Sequence, residues 1–377
     1  MRFADYMGKV GSTDRLPESD LRPVLFGLFG EVGSIMAIAK KLRREEDAYT
    51  GYRHAVVEEF GDALWYLAAL CRRLKISLDD IFSEALSRGD YSSALTATDT
   101  PEWPVALTQR VTVPPDLYQA LLQLGEATSA LLSLTANTPN AKALLCMFAG
   151  AYLQALQAAK MTFGHVLEYN VEKTCGRFVE PDPEALPIFD GHFDEEERIP
   201  QNFQIFIVQR KSGKTYLQWN GVFLGDPLTD NIRDEDGYRF HDVFHFAHAS
   251  VLHWSPTFRA LIKHKRKSDP KVDEAQDGGR AIVVEEGLTA WIFSRAKQLD
   301  YFEDQKKGLS FDMLKTIHEF VSGYEVQDCP LKLWEDAILQ GYEVFRKVRA
   351  NNGGIVIGDR GNRRITYKPL RGHKDEA

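Results

Sequence analysis

The stretch VVEEFGDALWYLAAL, residues 56–70, sets Glu58, Glu59 and Asp62 at the front of an apolar helical run. Residues three apart share a helix face, so Glu59 and Asp62 project together. Upstream, LRPVLFGLFGEVGSIMAIAKKL (21–42) also has apolar residues at helical spacing, with Pro23 near its start. Two antiparallel helices joined by the 43–52 loop would bring Glu31 opposite Glu59 and Asp62. Clustered carboxylates repel and are costly to bury. A divalent cation removes that cost, and Mg²⁺ prefers hard oxygen ligands while keeping waters for a phosphate. The run ALWYLAAL then anchors the helix in a core, with the acids at the lip of a cleft.

At 377 residues the chain is too long for one comfortable core, and two or three domains are expected. A hydrophobic fraction of 44% marks it as globular. A formal net charge of -8 argues against nucleic-acid or membrane binding through bulk charge. Cys71, Cys146, Cys175 and Cys329 form no CxxC pair, so reduced thiols and a cytoplasmic setting are expected. MRFADYMGKV at the start lacks a long apolar region, so no signal peptide is expected, and no stretch of about 20 apolar residues is read as a membrane span.

The expected fold is an all-α N-terminal domain over 1–178, then a mixed α+β C-terminal domain over 201–377. ISLDDIFSEALSRG (76–89) reads as a helix capped by Ser77. Residues 99–115 read as a proline-marked connector, and helices resume over 115–134, 141–160 and 163–178. LFGEVGSIM (28–36) can be laid over QLGEATSAL (123–131), since both read G-E-x-x-S, and FGDALWYLAAL fits over FAGAYLQALQA. Residues of about 20–90 and 114–178 therefore read as two copies of one helical hairpin in a pseudo-symmetric bundle. Residues 179–200, acidic and with four prolines, read as a linker or surface wrap. Beyond it, Ser212-Gly213 between β-rich runs signals a hairpin, 353–370 reads as a terminal hairpin, and helices lie between.

The helical pair resembles the MazG-type all-α nucleoside triphosphate pyrophosphohydrolases, whose pattern is E-x-x-E, a spacer, then E-x-x-D. Glu59-Phe-Gly-Asp62 matches the second half, and Glu31 matches the first acid of the first half. Ser34 stands where the second acid belongs. Asn170, Lys173 and Arg177 in YNVEKTCGR resemble the family's late N-x-x-K…R segment, which is associated with substrate phosphates. The resemblance implies a Mg²⁺ site (Mn²⁺ as the alternative ion) on Glu31, Glu59 and Asp62, with Glu58 as a further ligand or water-orienting base. It implies hydrolysis of a nucleoside triphosphate between the α- and β-phosphates, to a monophosphate and pyrophosphate. Acids in the first copy and N-x-x-K in the second imply one composite site per chain. A duplicated bundle can replace the family's dimer internally, so a monomer or a homodimer is expected. The alternative is a nucleotide-sensing module in which Ser34 permits binding with weak or no turnover, coupled to a C-terminal effector or metallohydrolase domain.

In the C-terminal half, HDVFHFAH supplies His241, His245 and His248. His241 and His245 are four apart and share a helix face. VVEEGLTAW supplies Glu285 or Glu286 as a third ligand for a transition metal. The alternative is a set of buried histidines bonded to acids. KHKRKSD (263–269) reads either as a solvated basic loop or as a phosphate clamp. The block as a whole resembles the C-terminal domains attached to some MazG-like enzymes.

Overall fold

The computed structural model describes residues 1–88, 116–230, 232–305 and 308–370. The expected connector over 99–115 lies outside the described residues. The chain divides into two compact units, Met1–Val179 and Glu180–Ala377.

The first unit is helical: α1 (Phe3–Thr13), α2 (Arg22–Glu45), α3 (Tyr52–Leu74), α4 (Leu78–Arg88), α5 (Leu117–Leu131), α6 (Ala141–Ala158) and α7 (Phe163–Phe178). Pro23 sits in the first turn of α2, where its missing N–H costs nothing. Ser77 caps α4 by accepting the Asp80 N–H at 3.2 Å. Helices α2 and α3 form one hairpin and α5 and α6 another; α7 then packs on α3, and α4 on α6. Each half thus lends its last helix to the other half.

The structure shifts the internal overlay read from G-E-x-x-S. Helices α3 and α6 both end at a left-handed lysine, Lys75 or Lys160, followed by an aliphatic residue and then Ser77 or Thr162. The buried stripe Val24, Leu25, Leu28, Val32, Ile35 of α2 recurs one position later than that overlay, at Ala120, Leu121, Leu124, Thr128, Leu131. Glu31 therefore corresponds to Ala127 and not to Glu126, and Ser34 to Ala130. Counting back from the paired lysines, Asp62 corresponds to Met147, and counting forward Asn170 corresponds to Ala85. The shared tetrad lies out of phase with the face that packs. These counterparts line an open cleft of about 450 Å³ with Ala85, Ala127, Ala130 and Met147 in its wall. Glu126, one position from Ala127, also lines this cleft.

Among the described residues one helix, Arg22–Ala48, is long and apolar enough to cross a membrane by length and composition. This corrects the expectation that no such stretch exists. Its stripe from Val24 to Ala39 lies in the hydrophobic core of the unit.

The second unit is α+β. One antiparallel sheet has the order β3-β2-β1-β4-β5, with β1 (Asn202–Gln209), β2 (Thr215–Trp219), β3 (Val222–Leu228), β4 (Gly353–Asp359) and β5 (Arg364–Lys368). The region read as two β runs holds three strands. The second turn is Asn220-Gly221 with φ +49° and +81°, the doubly left-handed turn that suits a tight hairpin. Phe203, Ile205 and Ile207 of β1 alternate into the core. Helices α8 (Asp242–Ala247), α9 (Pro256–Ile262), α10 (Pro270–Ala275), α11 (Gly279–Ala296), α12 (Phe311–Phe320) and α13 (Leu331–Ala350) complete the unit, α13 packing on α8 and on β4 and β5. The helix expected to carry His241, His245 and His248 is broken: a tight turn precedes α8, and a wide π turn follows at His248–Leu252.

Of residues 179–200, read as a linker or surface wrap, those from Glu180 onward are built into this unit. Phe193 and Ile199 are buried. Asp190 is buried as well and accepts from Arg259 Nη2 at 2.7 Å, Arg360 Nη2 at 2.8 Å and the Ile199 N–H at 2.9 Å. Acidic composition suggested solvent; a buried arginine pair supplies the countercharge instead.

Candidate active site

Glu31 on α2 and Glu59 and Asp62 on α3 converge, each offering one carboxylate oxygen, with all three oxygens within 4.8 Å of one another. The spacing argument placed these side chains, because α2 and α3 pack antiparallel along their length. Gly61 allows the third element to approach. A Cβ there would lie 2.9 Å from Asn170 Cβ on α7, closer than a real contact permits. With α7 so close, Asn170 Nδ2 donates to Asp62 Oδ1 at 3.1 Å, and Lys173 Nζ donates to Asp62 Oδ2 at 2.5 Å and Glu58 Oε1 at 2.9 Å.

Glu58 stands outside the trio. It is buried, and its carboxylate is engaged by Lys173, so it positions the lysine. Arg177 lies one turn beyond Lys173, largely buried, with its guanidinium over the Phe178 ring. Tyr6 was missed by sequence reasoning. Its hydroxyl donates to Asn170 Oδ1 at 3.0 Å and so fixes the amide that holds Asp62. The signal was present in MRFADYMGKV, where Phe3, Tyr6 and Val10 recur at helical spacing and are all buried in α1.

The electrostatics are those of acids in excess. Burial, the hydrogen bond with Glu59 and the charge of Asp62 push the Glu31 carboxyl up to about 8. Burial raises Asp62 to about 6, although Lys173 opposes the shift. Burial alone would lower Lys173, but Asp62 and Glu58 outweigh it and hold the ammonium above its usual range.

The C-terminal histidines also gather with the two glutamates. His245 Nδ1 lies 3.1 Å from Glu285 Oε1, and His245 Nε2 lies 3.3 Å from Glu286 Oε1. His241 Nε2 lies 3.6 Å from Glu286 Oε2, and its Nδ1 is 3.0 Å from the Tyr238 carbonyl. His248 Nδ1 is 3.0 Å from Glu285 Oε1. Glu285 Oε2 further accepts from Ser255 Oγ at 3.0 Å and the Thr257 N–H at 2.9 Å. Burial would lower the His245 pKa, but the two glutamates raise it well above the usual value. Burial acts the opposite way on Glu286, which its histidine partners hold down at about 2. Ser255 and Thr257 were not anticipated, since nothing in their local sequence points back to Glu285.

Within the 263–269 segment Lys263 and Lys267 are exposed, whereas its arginine is turned inward. Arg266 is buried and donates to Asp277 Oδ1 and Glu325 Oε1, both at 2.7 Å. Ser268 N–H donates to Glu197 Oε1 at 2.8 Å.

Residues 184–371 match the model of the MazG C-terminal domain family. This part of the chain is therefore a MazG C-terminal domain, as a MazG-like protein with such a domain would carry. No curated protein and no solved structure matches it.

Proposed function

We propose that the first unit is a Mg²⁺-dependent nucleoside triphosphate pyrophosphohydrolase that converts a (d)NTP to a (d)NMP and pyrophosphate. The observation that carries this reading is the convergence of Glu31, Glu59 and Asp62 from two helices, with Asn170 and Lys173 of the other half closing on Asp62. The donor set fits the ion. Three carboxylate oxygens are hard ligands, and burial, with the neighbouring acids adding to it, raises Glu31 and Asp62, a penalty that a bound cation would offset.

Glu31, Glu59 and Asp62 would hold the cation. When bound, Mg²⁺ supplies neutralisation of phosphate charge and polarisation of a water. Lys173, held by Asp62 and Glu58, presents positive charge to the phosphates. Asn170, fixed by Tyr6, keeps Asp62 in its rotamer. The MazG C-terminal domain in the same chain supports a nucleotide-related role.

The experiment is pyrophosphate release from a panel of (d)NTPs with Mg²⁺. Glu59→Gln should abolish release; an unchanged rate would remove the proposal. Ser34 in place of an acid favours a second reading, a sensor that binds nucleotide without turnover. Saturable Mg²⁺-dependent nucleotide binding with no pyrophosphate from any substrate would select it.

A further inference from the structure

His245 has an unusual environment. It is fully buried, and both ring nitrogens face carboxylate oxygens, yet neither contact has hydrogen-bond geometry. Buried polar atoms normally make such bonds. On the Nε2 side, the oxygens of Glu286 face a second imidazole, that of His241 four residues earlier on the same helical path.

We propose that His241 Nε2, His245 Nε2 and Glu286 hold one divalent transition-metal ion, with Glu285 and His248 orienting His245 from behind.

Three observations on this chain support the assignment. The first is spacing. Ligand atoms about 2.0–2.1 Å from a tetrahedral ion are about 3.4 Å from one another. Here His245 Nε2 lies 3.3 Å from Glu286 Oε1 and His241 Nε2 lies 3.6 Å from Glu286 Oε2, and one ligand atom from each of the three residues lies within 4.8 Å of the others. Ligands that converge on a shared point between them sit at such distances without aiming at one another, as the His245 Nε2 and Glu286 oxygen do.

The second is the far side of each ring. Metal-bound histidines commonly give their other ring N–H to a carboxylate or a backbone carbonyl. His241 Nδ1 meets the Tyr238 carbonyl in this way, and His245 Nδ1 lies 3.1 Å from Glu285 Oε1, near enough for the carboxylate to orient the ring although the contact is not aligned as a hydrogen bond. Glu285 is itself locked by His248, Ser255 and the Thr257 N–H. Its bonding capacity is used up behind His245, which separates its role from that of the adjacent Glu286.

The third is access. The Glu285 side chain is fully buried, whereas that of Glu286 is 38% exposed. An ion can therefore enter from the Glu286 side. Two imidazoles and one carboxylate select a first-row transition ion over Mg²⁺ and leave a coordination position for a further ligand. The N-terminal trio, by contrast, is all oxygen.

The test uses the full chain in a Glu59→Gln background, which weakens the N-terminal site. Chelator-stripped protein is titrated with Co²⁺ and Zn²⁺, and the visible Co²⁺ absorption reports nitrogen ligation. About one equivalent should bind with an absorption band, and both binding and band should be lost in His241→Ala and in Glu286→Gln, whose exposed position spares folding. Glu285→Gln should keep the stoichiometry and weaken affinity about 10- to 100-fold. Absence of saturable binding, or equal binding and absorption in His241→Ala and Glu286→Gln, would overturn the assignment.

Discussion

The ammonium of Lys173 lies 2.9 Å from the carboxylate of Glu58, although 115 positions separate them and they belong to different halves of the helical unit. The same ammonium meets Asp62 at 2.5 Å. One lysine from α7 thus joins a buried acid to a member of the carboxylate trio on α3. Replacing it with Met should lower the rate of pyrophosphate release about 100-fold or more, as loss of a preorganised charge donor does. It should also cost about 3 kcal/mol of stability by stranding Glu58. Turnover assays and denaturant unfolding check both; an unchanged rate would assign Lys173 to structure alone.

Gly61→Ala tests how α7 is seated. Alanine favours a helix over glycine by about 1 kcal/mol, but the new Cβ would stand 2.9 Å from Asn170 Cβ. Overpacking should win, with a net loss of about 1–3 kcal/mol and a larger loss of activity than of stability. A more stable variant of full activity would show that α7 can shift without consequence.

Glu31 at about 8 and Asp62 at about 6 make cation binding a competition with protons. Mg²⁺ affinity should rise with pH between about 6 and 8, and binding should release protons, seen as buffer-dependent heats in calorimetry. The sign for folding follows. Both folded values lie above the unfolded ones, so their contribution is complete below about pH 4 and is lost as pH rises through the folded values. Without Mg²⁺ the first unit should be less stable at pH 9 than at pH 6, and Mg²⁺ should reduce the difference.

Asp190→Asn probes the strap formed by residues 180–200. Arg259 and Arg360 are both fully buried and both donate to this carboxylate. Losing the charge should cost the second unit about 3–5 kcal/mol. Limited proteolysis should cut the variant near Arg198 under conditions that leave the wild type intact. Resistance in both would show that the strap does not depend on the pair.

His253 is buried, its Nε2 is 2.9 Å from the Arg360 carbonyl, and burial with nearby Arg360 and Arg363 pushes its pKa down to about 3. The folded state holds it neutral, so its contribution is present above the unfolded value of 6.5 and is lost as pH falls toward 3. Amide exchange in the second unit should quicken over that range. The pH slope should be shallower in His253→Gln; an equal slope would assign the acid sensitivity elsewhere.

The legible parts of this protein are local. Helical periodicity marks α2 and α3, Ser77 marks the start of α4, and Gly213 marks the first turn of the sheet, whereas the turn at Asn220-Gly221 was not read. The pairing of Glu31 with Glu59 and Asp62 follows from two adjacent helices and a short loop. The phase of the α2 and α5 overlay was not legible, because Gly-Glu-x-x-Ser recurs one position away from the buried stripe.

By itself the sequence determined which faces of its helices carry acids, histidines or apolar side chains, since a period of 3.6 residues needs no distant partner. Tertiary packing decided that α7 crosses to α3 and delivers Lys173 to Glu58. It also decided that Arg259 and Arg360 draw an acidic segment inward, and that Glu285 lies behind His245 while Glu286 lies in front. Those outcomes depend on side chains tens to more than a hundred residues apart. Their partners are chosen by close packing and by the cost of leaving a buried charge unpaired, and neither is written in local spacing.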